Sequence, residues 1–139
     1  IPGNSPIISN GDSSFNLKFD SRGNVEFFVN GWQGGVASFT APANINDGEW
    51  HRLTATAEST GSGTKLIVYV DGTKLGEATS TVTAPYVTSS YGIGIGIDPE
   101  YTSRIWPGEI DAVRVVKRAM TAEEIATGII SATNKDVVY

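Results

Sequence analysis

The stretch 14–29, SFNLKFDSRGNVEFFV, decides the fold class. Phe15, Leu17 and Phe19 alternate with Asn16 and Lys18; beyond Asp20-Ser21-Arg22-Gly23, Val25, Phe27 and Val29 alternate with Glu26 and Phe28. Side chains of a strand point to opposite faces in turn, so each run presents one apolar face. The pattern predicts two half-buried antiparallel strands joined by a turn. Outward from this hairpin, Val36 to Thr40 reads as another strand. From Trp50 to Ala57, His51, Leu53, Ala55 and Ala57 share one side. Lys65 to Val70 ends at Asp71-Gly72, a strong hairpin turn, and Lys74 to Thr79 returns. The segment 79–90, rich in Ser and Thr around Pro85, reads as a long loop inside one domain.

Composition agrees. Ile and Val together number 25 against 4 Leu, with 14 Thr and 16 Gly, the usage of strands and turns rather than helices. A chain of 139 residues is long enough for one core and short for two, so residues 1–139 are expected to form a single domain. The net charge of −5 argues against nucleic acid and anionic membrane surfaces as partners, because both are bound through basic patches. With no cysteine, disulfides, thiolate chemistry and Cys-based zinc sites are excluded. No apolar run approaches the roughly 18 residues of a membrane helix. The start Ile1-Pro2-Gly3 carries no leader and no initiator Met, which suggests a processed or excised piece.

In the second half, Tyr91 to Ile97 alternates Gly92, Gly94 and Gly96 with Ile93, Ile95 and Ile97. Glycines aligned on one face of a strand imply something bulky against that backbone, either an aromatic core residue or a ligand. After a loop from Asp98 to Ser103, Arg104 to Val116 is predicted as a strand. Thr121-Ala122-Glu123-Glu124 has the form of a capping box, opening one short helix from Ala122 to about Thr127 that Gly128 ends. The tail Ser131 to Tyr139 is a candidate for a further short strand.

Catalytic chemistry finds little footing. His51 is the only histidine, which excludes multi-histidine metal sites and reads as a hydrogen-bonded structural group. No Gly-x-Ser-x-Gly elbow is present, and Ile97 breaks the Gly-x-Gly-x-x-Gly pattern. Glu109 and Asp111 would share one side of a strand about 6.5–7 Å apart, near the separation of a retaining glycosidase pair. The stretch resembles the active strand of laminarinase-type jelly-roll glycosidases, but Arg114 stands where their second glutamate does, so catalysis by this chain is not expected.

A broader resemblance rests on four pieces in order: Asp47-Gly48-Glu49-Trp50-His51, Val68-Tyr69-Val70-Asp71-Gly72, Gly108-Glu109-Ile110-Asp111-Ala112-Val113-Arg114-Val115, and Arg118-Ala119-Met120-Thr121-Ala122-Glu123-Glu124-Ile125. Together they resemble the laminin G-like, concanavalin A-like jelly-roll superfamily. The resemblance implies an all-β fold, a two-sheet antiparallel β-sandwich (jelly roll) with one short C-terminal helix. Its members are usually secreted carbohydrate-binding modules or adhesion proteins, which implies an extracellular or cell-surface location. Similar domains carry one or two further strands before the segment equivalent to 7–11, and these are missing here. The expected consequences are a longer parent chain, a tail at 137–139 that fills the gap, or a partner strand or other chain that completes the sheet. Members also often carry Ca2+, for which Asp111 matches the acidic position, with Arg118 or a backbone amide as its alternative partner.

For function, the loop 98–106 places Asp98, Glu100, Tyr101, Arg104 and Trp106 within nine residues. Aromatic plates beside planar polar groups suit a polysaccharide or oligosaccharide. Trp32 with Gln33 forms a second candidate patch. Trp50 reads as core, Trp106 as either core or site, and Arg104 as a partner for Glu100 or Glu109. The primary expectation is a non-catalytic carbohydrate-binding module, accessory to an extracellular polysaccharide-degrading enzyme such as a hydrolase or lyase. The alternative is a protein-interaction or adhesion domain. Net charge favours a neutral or weakly acidic glycan.

Overall fold

A computed structural model describes residues 3–29, 36–40, 45–81 and 89–128. Among the described residues, eight strands and one helix follow in chain order: β1 (Ser5–Ser9), β2 (Asn16–Phe19), β3 (Asn24–Phe28), β4 (Val36–Thr40), β5 (Leu53–Ser59), β6 (Thr64–Val70), β7 (Thr73–Ser80), β8 (Gly94–Ile95) and α1 (Ala122–Thr127). The strands form two antiparallel sheets, ordered β4-β3-β2-β1-β8 and β5-β6-β7.

The alternation in 14–29 sets the larger sheet. Leu17, Phe19, Val25, Phe27 and Val29 all turn to one face and bury against Leu66 and Val68 of the other sheet. Removing such side chains from water stabilises by about 1.5–3 kcal/mol each. Leu53, Ala55 and Ala57 of β5 pack on the same core, as their spacing predicts. A bulge in the β1–β2 register between Pro6 and Ile8 lets Ile7 and Ile8 both reach the core, which strict alternation would forbid. At the β2–β3 turn, Asp20 Oδ1 accepts from the Arg22 and Asn24 amides at 2.8 and 2.9 Å, and Gly23 takes φ 81°. Burial raises the Asp20 pKa, but the hydrogen bonds from Asn24 and Arg22 outweigh it and hold the carboxyl below its usual value.

The opposite face of β2–β3 differs from the expectation of a half-buried hairpin. Lys18 is only 3% exposed and Asn16 and Phe28 are fully buried. Lys18 Nζ donates to Asn4 Oδ1 at 3.0 Å, pairs with Glu26 at 3.4 Å across the ladder and stands 5.5 Å over the Phe28 ring. The charge is tolerated because it has partners on every side.

Two strand expectations need correction. The strand at 91–97 shrinks to Gly94–Ile95, because Gly96 adopts φ 71° and the chain turns back so tightly that a Cβ on Gly94 would overlap the Ile97 carbonyl oxygen. Ile110 and Trp106 lie over Gly96, so an aromatic and an apolar side chain cover that glycine. The predicted strand 104–116 is not formed: it contributes only the isolated bridge Ile97–Ile105 and a single bridge residue at Val116. Pro107-Gly108 interrupts it, and Ala112 sits at φ 52° with its amide bonded to Asp111 Oδ1 at 2.7 Å, a local turn that competes with a ladder.

Helix α1 forms where the capping box predicts. Thr121 accepts from the Glu124 amide, Glu124 accepts from the Thr121 amide, and Gly128 closes the helix at φ 70°. Six residues are too few for an independent helix. Burial of Ile125 and an Arg52 Nη2 bond to its carbonyl at 2.7 Å tie it to the small sheet. The tail 131–139, the patch Trp32-Gln33 and most of the 79–90 loop lie outside the described residues.

Candidate functional site

The predicted binding loop 98–106 does not stand alone. It is joined to the β1–β2 connection and to the approach to β8 by a network whose centre is Asp98, 0% exposed. Asp98 Oδ1 accepts from the Glu100 and Tyr101 amides at 3.0 and 3.3 Å, a local turn of the kind aspartate favours. Its Oδ2 accepts from Asn16 Nδ2 and Arg104 Nη1, both at 3.3 Å. Arg104 Nη1 also donates to Asp12 Oδ2 at 2.6 Å. The guanidinium lies 4.0 Å over the Tyr101 ring. Burial disfavours the Arg104 charge, but Asp12 and Asp98 more than offset it and raise its pKa further. Glu100 Oε2 accepts the Asp12 amide at 2.8 Å. Asn10 Nδ2 donates to the Tyr91 and Gly92 carbonyls at 2.6 and 3.0 Å. Gly11, at φ 87°, lets the chain pass between Glu100 and Tyr91, where a Cβ would meet both.

The consequence is a fixed surface rather than a free loop. Tyr101 is 44% exposed, with Tyr91, Ile93, Ile95, Ile97 and Ile105 also exposed. The Tyr101 backbone is anchored through its amide on Asp98, and its ring is stacked under the Arg104 guanidinium.

The six residues put forward for carbohydrate binding therefore separate. Asp98 is fully buried and positions the loop; it presents no carboxylate at the surface. Glu100 and Arg104 are half-buried and committed to Asp12 and Asp98, not to each other or to Glu109. Trp106 is half-buried, its ring 5.6 Å from Phe19 and its Nε1 donating to the Glu109 carbonyl at 3.3 Å, so it packs on the core. Tyr101 remains the exposed plate. Trp32 lies outside the described residues. Trp50, read as core, is instead 65% exposed: the chain enters β5 only at Leu53. Sequence reading missed Asn10, Asp12 and Asn16, which lie some 80 to 90 positions from the loop, and Tyr91, which lies just before it.

Asp111 lies in the turn before Ala112. It is exposed and accepts the Ala112 amide, and Arg118 pairs with Glu124 at 2.7 Å. Among the described residues no group of three His, Cys, Asp or Glu side chains is disposed to hold a metal, whereas calcium takes 6–8 oxygens.

A second polar cluster surrounds His51. Its Nδ1 lies 2.8 Å from Asp71 Oδ2 and its Nε2 3.2 Å from Asp47 Oδ1. Asp71, at φ 51° in the β6–β7 turn, also accepts the Arg52 amide at 2.8 Å. Hydrogen bonds to Asp71 and Asp47 raise the His51 pKa, and the same bonds help lower both carboxyls. The histidine is a clasp between the 45–49 loop and the hairpin turn, as expected for a structural group. Beside it, Ile45, Val70, Thr73 and Leu75 line an open depression of about 290 Å³.

The family described as the concanavalin A-like lectin/glucanases superfamily, of laminin G type, matches residues 1–126. The chain belongs to that superfamily. Among solved structures, residues 221–444 of an S-layer domain-containing protein from Clostridium thermocellum align with TM-score 0.50 at 24% identity, over 91% of this chain. The chain spans 63% of that structure's length, and the likeness is one of fold. No curated protein matches the chain. Among the described residues no helix is long and apolar enough to cross a membrane.

Proposed function

We propose that this laminin G-like domain is a non-catalytic carbohydrate-binding module that works outside the cell or at its surface, accessory to a polysaccharide-degrading enzyme. The observation that carries the reading is the Tyr101 plate: an exposed aromatic ring fixed by Arg104 and by the buried Asp98, with Tyr91 nearby across Gly11. Pyranose rings offer C–H faces to an aromatic surface and hydroxyls to fixed polar neighbours. Asp12 and Glu100 supply acceptors for those hydroxyls beside the ring. The structure with the similar fold is part of an S-layer domain-containing protein, which supports a surface setting.

A protein-interaction role is the second reading, favoured by the exposed row Ile93, Ile95, Ile97 and Ile105. Replacing Tyr101 by Ala separates the two. Loss of polysaccharide retention in affinity electrophoresis supports the module. Undiminished glycan binding by the folded variant, or no binding by either protein across neutral and acidic polymers, refutes it.

A further inference from the structure

We infer that the Tyr101 site selects an uncharged glycan and discriminates against its uronate counterpart, an inference that rests on the carbohydrate-binding reading above. Asp12 and Asp98 share a single guanidinium, Arg104, and Glu100 lies against the Asp12 backbone amide. Three carboxylates against one cation leave a surplus of two negative charges. Lys18, 4.0 Å from Asp12 and 3.4 Å from Glu26, brings one positive charge and Glu26 one negative, so counting both leaves that surplus unchanged.

Arg104 is the residue a sequence reading would give to a sugar carboxylate, because guanidinium and carboxylate pair bidentately. Its place in the fold argues otherwise. Both bonds from Nη1 go to Asp12 and Asp98, and the guanidinium is stacked on Tyr101. Its charge is spent in fixing the plate. An incoming uronate would bring a third uncompensated negative charge to a half-buried site, where the repulsion is less screened than in bulk water.

A neutral glycan meets the opposite situation. Ionised carboxylates are acceptors only, so Asp12 and Glu100 suit hydroxyl donors, and every unsubstituted pyranose carries several. The remaining guanidinium N–H groups suit hydroxyl oxygens without any need for charge. Tyr101, Tyr91 and Ile105 offer uncharged contact surface for C–H faces.

The test is calorimetric titration of the intact chain and of Tyr101→Ala with three matched pairs: oligosaccharides of β-1,4-glucan, β-1,3-glucan and α-1,4-galactan, each beside its C6-oxidised uronate. In at least one pair the neutral member is expected to bind about tenfold or more tightly than the uronate at low salt. The gap should narrow as salt is raised, narrow in Glu100→Gln, and both affinities should fall in Tyr101→Ala. A uronate that binds as tightly as its neutral partner and depends on Tyr101 overturns the charge selection while leaving the site standing. Absence of binding in all three pairs, or binding indifferent to Tyr101, overturns the carbohydrate-binding reading itself.

Discussion

Replacing Asp98 by Ala should unfold the site before it touches the sandwich core. The carboxylate is fully buried and accepts four hydrogen bonds, two from backbone amides and one each from Asn16 and Arg104. A buried donor left without an acceptor costs about 1–3 kcal/mol, and breaking a buried ion pair from one side costs about 3–5 kcal/mol. Arg104 keeps Asp12 and is partly exposed, so its share is smaller, and the loop has room to relax. The net loss works out at about 3 kcal/mol, against a total stability of roughly 5–15 kcal/mol for a domain. In urea the midpoint should fall by roughly 1–2 M, and Tm by about 10 °C. Asp98→Asn is the informative companion: its carbonyl still serves the Glu100 and Tyr101 amides, but its NH2 faces two donors, so it should lose about 2 kcal/mol. An alanine variant within about 0.5 kcal/mol of the parent protein would refute the claim that Asp98 organises the loop.

Three further outcomes follow from the same geometry. His51 has a raised pKa, so its contribution to stability is complete below its unfolded value of 6.5 and is lost as pH rises through the folded one; urea midpoints should decline above pH 6.5 in the parent and stay flat in His51→Gln. Asp47 and Asp71 act in the other direction, adding stability above 3.8 that disappears as pH falls through their lowered values, which acid titration by NMR would register. Gly94→Ala should cost about 3 kcal/mol because its Cβ meets backbone at Ile97, whereas Trp50→Ala, at an exposed position, should change stability by less than about 0.5 kcal/mol in the same unfolding assay.

Where the sequence carries a local period, the fold is legible in it. The alternation in 14–29 names the core residues of β2 and β3, Asp71-Gly72 names a hairpin, and Thr121 to Glu124 names a helix start, because each signal is read within a few residues. The stretch 104–116 shows the limit. Val113 and Val115 keep a strand period, yet Pro107-Gly108 and the turn at Asp111–Ala112 prevent a ladder, and period alone does not weigh those against each other. Trp50 shows another limit: a large aromatic before a strand is read as core, but burial depends on what packs above it.

The site was legible only in part. The run from Asp98 to Trp106 marks a loop that the fold does hold in one network, since aspartate, tyrosine and arginine cluster there. Their roles are set by Asp12 and Asn16, which no local pattern links to position 98. Long-range contacts engage Asp98, Glu100 and Arg104 with the β1–β2 connection and leave the Tyr101 ring exposed, with Tyr91 on the other side of Gly11 from Glu100.

The most direct test is to follow backbone amide resonances of the 15N-labelled chain while a neutral gluco-oligosaccharide is added. The account predicts saturable shifts confined to Asn10–Asp12, Tyr91–Gly92 and Tyr101–Ile105, absent in Tyr101→Ala. Saturable shifts centred elsewhere, with Tyr101 and Tyr91 unmoved, would contradict it.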